Sequence, residues 1–231
     1  MKLKKILYFG FVCTVAPVLA TKSAHADYVA KVHNKIYSEA GAVVNDSRGD
    51  VFGKRGKMRM DVNMMGMRSS VIALAQSKKV FSILHDAKMV MEVDLSTFAQ
   101  TSQNGMVMCL EGDNLRCLTG QGFREVGSET KNGYPCKVME LTTNSGGQNT
   151  TLKVWAPTNL PEVGVVAIEH RGVNGRVLME ANYTDVRSQN VPDSKFVVPS
   201  DYSKVSGALP GMPGAGSGGT PTPAPRQRGS R

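Results

Sequence analysis

The chain has 231 residues, 41% of them hydrophobic and 20% charged, and a formal charge of +9 that invites a nucleic-acid reading. Lys2, Lys4, Lys5 and Lys22 lie in the N-terminal 26 residues and Arg226, Arg228 and Arg231 in the last six, so residues 27–225 carry only +2. A basic stripe that reads phosphates has to sit on the folded part, and none is left there.

In chain order, three lysines precede the apolar stretch Ile6 to Ala20, and Ala24-His25-Ala26 offers small residues at both recognition positions of a signal peptidase. The expected signal peptide is 1–26, with Asp27 as mature N-terminus. Thr14, Pro17, Thr21 and Lys22 interrupt the run, whereas a membrane span needs roughly 20 consecutive apolar residues. No transmembrane segment is expected in the mature chain. Short alternating runs then follow: Tyr28 to Ile36, Lys57 to Asn63, Val71 to Ala75, Val80 to Leu84 and Met89 to Val93. A helix over Val29 to Ser38 is an open alternative for the first, and Leu95 to Gln100 suits a short helix.

The second half reads alike, with Phe123 to Glu129, Cys136 to Thr142, Thr150 to Trp155, Val165 to His170 and Arg176 to Tyr183. Asn132-Gly133 between alternating runs is a strong hairpin signal. Connections this short make neighbouring strands antiparallel. The expected fold is mainly β, a long antiparallel meander over 27–206 curled into a half-barrel over one or a few short helices. From Gly207 the chain is rich in Gly, Pro, Ser and Thr, and 207–231 is expected to be a disordered basic tail.

The order of several short motifs carries a resemblance. Gly56 to Asp61, Ser70 to Ile72, Lys79 to Leu84 and Lys88 to Glu92 come first. Gly127 to Cys136, Val154 to Pro161 and Val191 to Tyr202 follow. Together they resemble a bacterial family of exported proteins of unknown function whose architecture is similar to the Lol-type lipoprotein carriers and receptors. The resemblance implies a curved antiparallel sheet over one or a few helices, with an apolar cavity that takes up acyl chains in the carriers. It implies a shape and a compartment, and little chemistry.

No nucleophile elbow, His-Glu-x-x-His or phosphate loop is present, so no catalytic residue and no cofactor is assigned. Adjacent strands offer Met58, Met60, Val71, Ala73, Phe81, Ile83, Met89 and Met91 as an apolar lining, although period two alone does not say which alternate set points inward. Trp155 suits either the mouth of that cavity or a core-edge anchor. Flexible, polarizable methionines fill irregular apolar space or adapt to varied apolar ligands. Clustered thioethers also select Cu(I), which makes Met64, Met65 and Met67 the alternative metal ligands. Of the three cysteines beyond residue 26, Cys109 and Cys117 are the economical disulfide pair, because Glu111 to Asn114 reads as a turn; pairing of either with Cys136 stays open. His85 is expected to be a solvated turn residue, and Asp193 to cap backbone N–H groups.

The expected function is an exported, non-enzymatic binding or carrier protein, periplasmic or secreted, for a lipid, acyl chain or other apolar molecule. The alternatives are Cu(I) handling and an envelope assembly factor that binds other proteins through a sheet edge.

Overall fold

The computed structural model describes residues 27–64, 66–101, 109–110, 112–145 and 148–205; the expected signal peptide and the 207–231 tail lie outside them. The first run of strands is β1 (Tyr28–Tyr37), β2 (Val43–Lys54), β3 (Lys57–Met64), β4 (Met67–Leu74), β5 (Lys79–Leu84) and β6 (Met89–Asp94). Two short helices follow, α1 (Leu95–Thr101) and α2 (Asn114–Gly120). The second run is β7 (Arg124–Lys131), β8 (Tyr134–Ser145), β9 (Gln148–Pro157), β10 (Ala167–Arg171) and β11 (Val177–Ser188), and the short β12 (Ser203–Val205) comes last.

The twelve strands of the described residues form one open sheet in the order β12-β6-β5-β4-β3-β2-β1-β11-β10-β9-β8-β7. Among the described strands only β12 pairs in parallel, on β6. The mainly β, curled architecture expected from sequence is therefore present, but as two meanders joined in the middle through β1 and β11. The connection through α1 and α2 carries the chain from β6 to β7, at the opposite edge.

Local chemistry accounts for most of the hairpins. Asn132 and Gly133 both have positive φ (53° and 85°), the conformation of a two-residue turn whose twist matches its strands. Lys78 and Lys88 close the β4–β5 and β5–β6 turns, also with positive φ, and donate to Ala75 O and His85 O. The open alternative of an N-terminal helix is not realised: residues 28–37 are central strand β1, paired on both sides.

The sheet coils strongly. Tyr134 on β8 donates its hydroxyl to Val186 O (3.3 Å) and accepts from Val186 N (3.1 Å) on β11, reaching past β9 and β10. The ring of Tyr28 lies across Gly53, where any Cβ would collide with it. One consequence of the coil is a core cluster that includes Ala30, Val51 and Met60 of the first meander together with Val138 and Trp155 of the second.

Two layers cover this sheet. Helix α1 and Leu110 lie over the first meander on one face, packing Leu95 and Phe98 near Val71, Ala73 and Val80. Helix α2 buries Leu118 against Val154, Ile168 and Ala181 of the second. We call this face inner. On the outer face of the first meander, residues 189–205 form a strap with one 3₁₀ turn (Asp193–Phe196), which buries Val191 and Phe196 against Ile72, Ile83 and Val90.

Candidate functional site

Strand pairing sorts the candidate residues by face. One cross-strand row on the inner face reads Ala30, Val51, Met60, Val71, Ser82 and Met91 from β1 to β6. Beside it run Tyr28, Gly53, Met58, Ala73, Val80 and Val93. On its other side run Val32, Gly49, Val62, Ser69, Leu84 and Met89. None of these eighteen residues is charged. The face thus offers an apolar floor in which methionines recur on β3 and β6.

Six of the eight apolar candidates, Met58, Met60, Val71, Ala73, Met89 and Met91, share this face. Phe81 and Ile83 do not: they pair with Ile72 and Ser70 and belong to the outer layer beneath the strap. Alternation moves every odd residue of β5 to the side opposite Val80 and Ser82, so they are removed from the inner lining. Trp155 pairs with Val138 and Ala167 on the side of β9 opposite Val154, and it shares a core cluster with Ala30, Val51 and Met60 of the inner rows. It is 4% exposed, donates its indole N–H to Glu129, and lies under Lys131 and Lys153 at 4.4 and 5.0 Å. Of the two roles expected for Trp155, this placement fits the core anchor with a polar tip.

Cys109 and Cys117 form the disulfide, with 5.9 Å between their Cα atoms. The reason is partly different from the turn expected, because Cys117 lies within α2. Asp113, at φ 53°, caps that helix by accepting from Arg116 N (3.2 Å). Asn114 donates its side-chain amide to Val163 O, and Gly164 packs beside Cys109. Helix α2 is thus tied by a covalent link to the segment that precedes it, by a buried hydrogen bond to the β9–β10 connection, and by Leu118 to the sheet. Cys136 is a buried free thiol, and burial pushes its pKa up.

The alternative copper cluster is only partly described. Met67, opposite Met64 at the end of the β3–β4 hairpin, is half exposed, and Met65 lies outside the described residues. Among the described residues no group of three or more His, Cys, Asp or Glu is arranged to hold a metal ion.

A polar constellation that sequence reasoning missed lies on the outer face. Ser70 donates to Asp61 Oδ1 (2.5 Å) and lies 2.6 Å from His85 Nε2, while Arg59 donates to both Asp61 (2.6 Å) and Ser70 (3.2 Å). With the Ser70 proton committed to Asp61, Nε2 carries the hydrogen and donates to Ser70, leaving Nδ1 to accept from Tyr202 OH at 3.1 Å. A serine nucleophile needs the reverse, a histidine that accepts its proton. Ser70 is also 1% exposed. The network instead clamps the strap: Arg59 donates to Lys195 O (2.9 Å), and Tyr202 belongs to the same segment. Burial chiefly, followed by Arg59, lowers the His85 pKa, so the expected solvated imidazole is replaced by a neutral, partly buried one. Asp193 likewise accepts from Lys57 Nζ (2.8 Å) with Lys54 nearby, not from backbone N–H groups, and those ammonium groups lower its pKa.

Among solved structures the chain is similar to an uncharacterized conserved protein from Thermus thermophilus, at 12% identity and a TM-score of 0.52, over 79% of this chain and 91% of that one. That similarity shows a shared fold. MucB overlaps at 11% identity and a TM-score of 0.46, over 77% of this chain and 58% of MucB. A putative outer membrane lipoprotein-sorting protein domain from Vibrio parahaemolyticus overlaps at 12% identity and a TM-score of 0.36, over 75% and 90%. A search of curated proteins finds no match. The sequence profile of a domain of unknown function, DUF4412, matches residues 45–163, from β2 to the loop before β10, and the chain belongs to that family.

Proposed function

We propose that this is an exported, non-enzymatic carrier that binds a lipid, acyl chain or other apolar molecule on the inner face of its first meander. The observation that supports the reading is the uncharged floor of three cross-strand rows over six strands. Over its Val71, Ala73 and Val80 pack the hydrophobic side chains of Leu95 and Phe98 of α1 and of Leu110, while its Ala30, Val51 and Met60 pack with Val138 and Trp155 of the second meander. Flexible Met58, Met60, Met89 and Met91 adapt such a floor to chains of different shape. The disulfide fits an oxidising compartment such as the periplasm.

Titration with a fluorescent fatty-acid analogue tests the proposal. Wild-type protein is expected to take up the probe, and Ala73→Trp, which fills the middle of the floor, to weaken uptake at least tenfold while circular dichroism still reports a folded sheet. No uptake of any acyl probe, together with tight Cu(I) binding lost when Met64, Met65 and Met67 are changed to Leu, would replace the carrier by a copper-handling protein, since leucine keeps the bulk and removes the sulfur. Retrieval of a stoichiometric envelope protein in place of lipid would favour the assembly factor.

A further inference from the structure

Among the described residues two buried side-chain atoms have no hydrogen-bond partner, Ser82 Oγ and Asn114 Oδ1. Asn114 still uses its amide group on Val163 O, whereas Ser82 has no other polar group to use. Ser82 is 0% exposed and sits in the central inner-face row between Val71 and Met91, with Val80 and Leu84 two residues away on the same strand face. A buried hydroxyl without a partner costs stability, and an alanine would fit the same position without that cost. Ser69, the other serine of these rows, donates to Val62 O, whereas the Ser82 hydroxyl is left open to a partner.

Resting on the carrier reading, we infer that Ser82 is the polar anchor of the inner-face site and that the ligand is a long apolar chain bearing a neutral oxygen, an ester or a hydroxyl. The ligand class follows from the surroundings. A serine hydroxyl both donates and accepts, so it satisfies either an ester carbonyl or an alcohol. An ionised carboxylate at the same place would lie among Met60, Val71 and Met91 with no cation in the three rows, and an unpaired charge there is far more costly to desolvate than a neutral oxygen. A pure hydrocarbon would leave the hydroxyl as it is.

The test is displacement of N-phenyl-1-naphthylamine from the full chain by three probes that share a twelve-carbon chain: methyl laurate, dodecane and laurate. Wild-type protein is expected to prefer methyl laurate over dodecane by about fivefold, the size of one net neutral hydrogen bond, and to bind laurate most weakly. Ser82→Ala is expected to abolish the preference for methyl laurate, leave dodecane unchanged and raise the thermal midpoint of the empty protein. A preference that survives Ser82→Ala, equal affinity of wild type for methyl laurate and dodecane, tightest binding of laurate, or a lowered midpoint overturns the anchor while leaving the inner-face site in place. If none of the three displaces the dye, the carrier reading falls with it.

Discussion

The strap over the outer face makes a sharp prediction, because its main apolar anchor is one side chain. Phe196 is 5% exposed and lies against Ile72 and Ile83, both 0% exposed, and Val90 and Val191. Truncating a buried phenylalanine to alanine costs about 3–5 kcal/mol through lost transfer energy and the cavity left behind. The strap lies on the surface and closes over part of that space, so the lower end, about 3 kcal/mol, is expected for Phe196→Ala. For a domain of this size each kcal/mol moves the midpoint by roughly 2–4 °C, which gives a fall of about 6–12 °C. Phe196→Leu keeps most of the apolar volume and should cost about 1 kcal/mol. Urea unfolding followed by fluorescence of the only tryptophan, Trp155, reads the effect from the other meander, so a shifted but still single transition reports that strap and sheet unfold together. Limited proteolysis should at the same time open 189–205 in the Ala variant. A loss below about 1 kcal/mol with unchanged protease resistance would refute the packing of Phe81 and Ile83 beneath the strap.

The neutral His85 gives a pH prediction. Its folded-state pKa is lowered, so the unfolded chain takes up the proton first; the contribution is complete above the unfolded value of about 6.5 and is lost as pH falls from there toward the folded value. Partly buried His170 shifts in the same direction, so the urea midpoint should fall between about pH 7.5 and 5.5, and fall less in His85→Asn; equal falls would show that the clamp does not titrate. For the disulfide, a closed loop of separation 8 corresponds to about 2.5 kcal/mol by chain entropy, and Cys109→Ser with Cys117→Ser should lower stability by that order. Peptide mapping without reductant checks the pairing, and three free thiols in protein from its native compartment would contradict it.

The strands whose signal is local were legible. Alternation located ten of the twelve, and Asn132-Gly133 announced its hairpin because positive φ is a property of those two residues. The chain between Val43 and Lys54 was not read as a strand, since Asn45, Asp46, Gly49 and Asp50 lack β propensity; β2 forms because β1 and β3 pair with it on both sides. Helix α2 was hidden behind Gly112-Asp113, which looked like a turn and proved to be a cap. The clamp was invisible because Ser70, His85 and Tyr202 are brought together only when the strap returns across β3–β5.

By itself the sequence determined that the chain is mainly β, that its folded part carries almost no net charge, and that methionines and aliphatic residues recur at two-residue steps. Each of these follows from composition or from contacts within a few residues. Only the tertiary structure decided which alternate set faces inward, that Phe81 and Ile83 belong to the strap, and that Ser82 lies unpaired in the floor. A strand with apolar residues on both faces has no preferred side of its own. The choice is made by what arrives to cover each face, α1 and Leu110 on one side of β5 and residues 189–205 on the other, and those segments meet the strand from far along the chain.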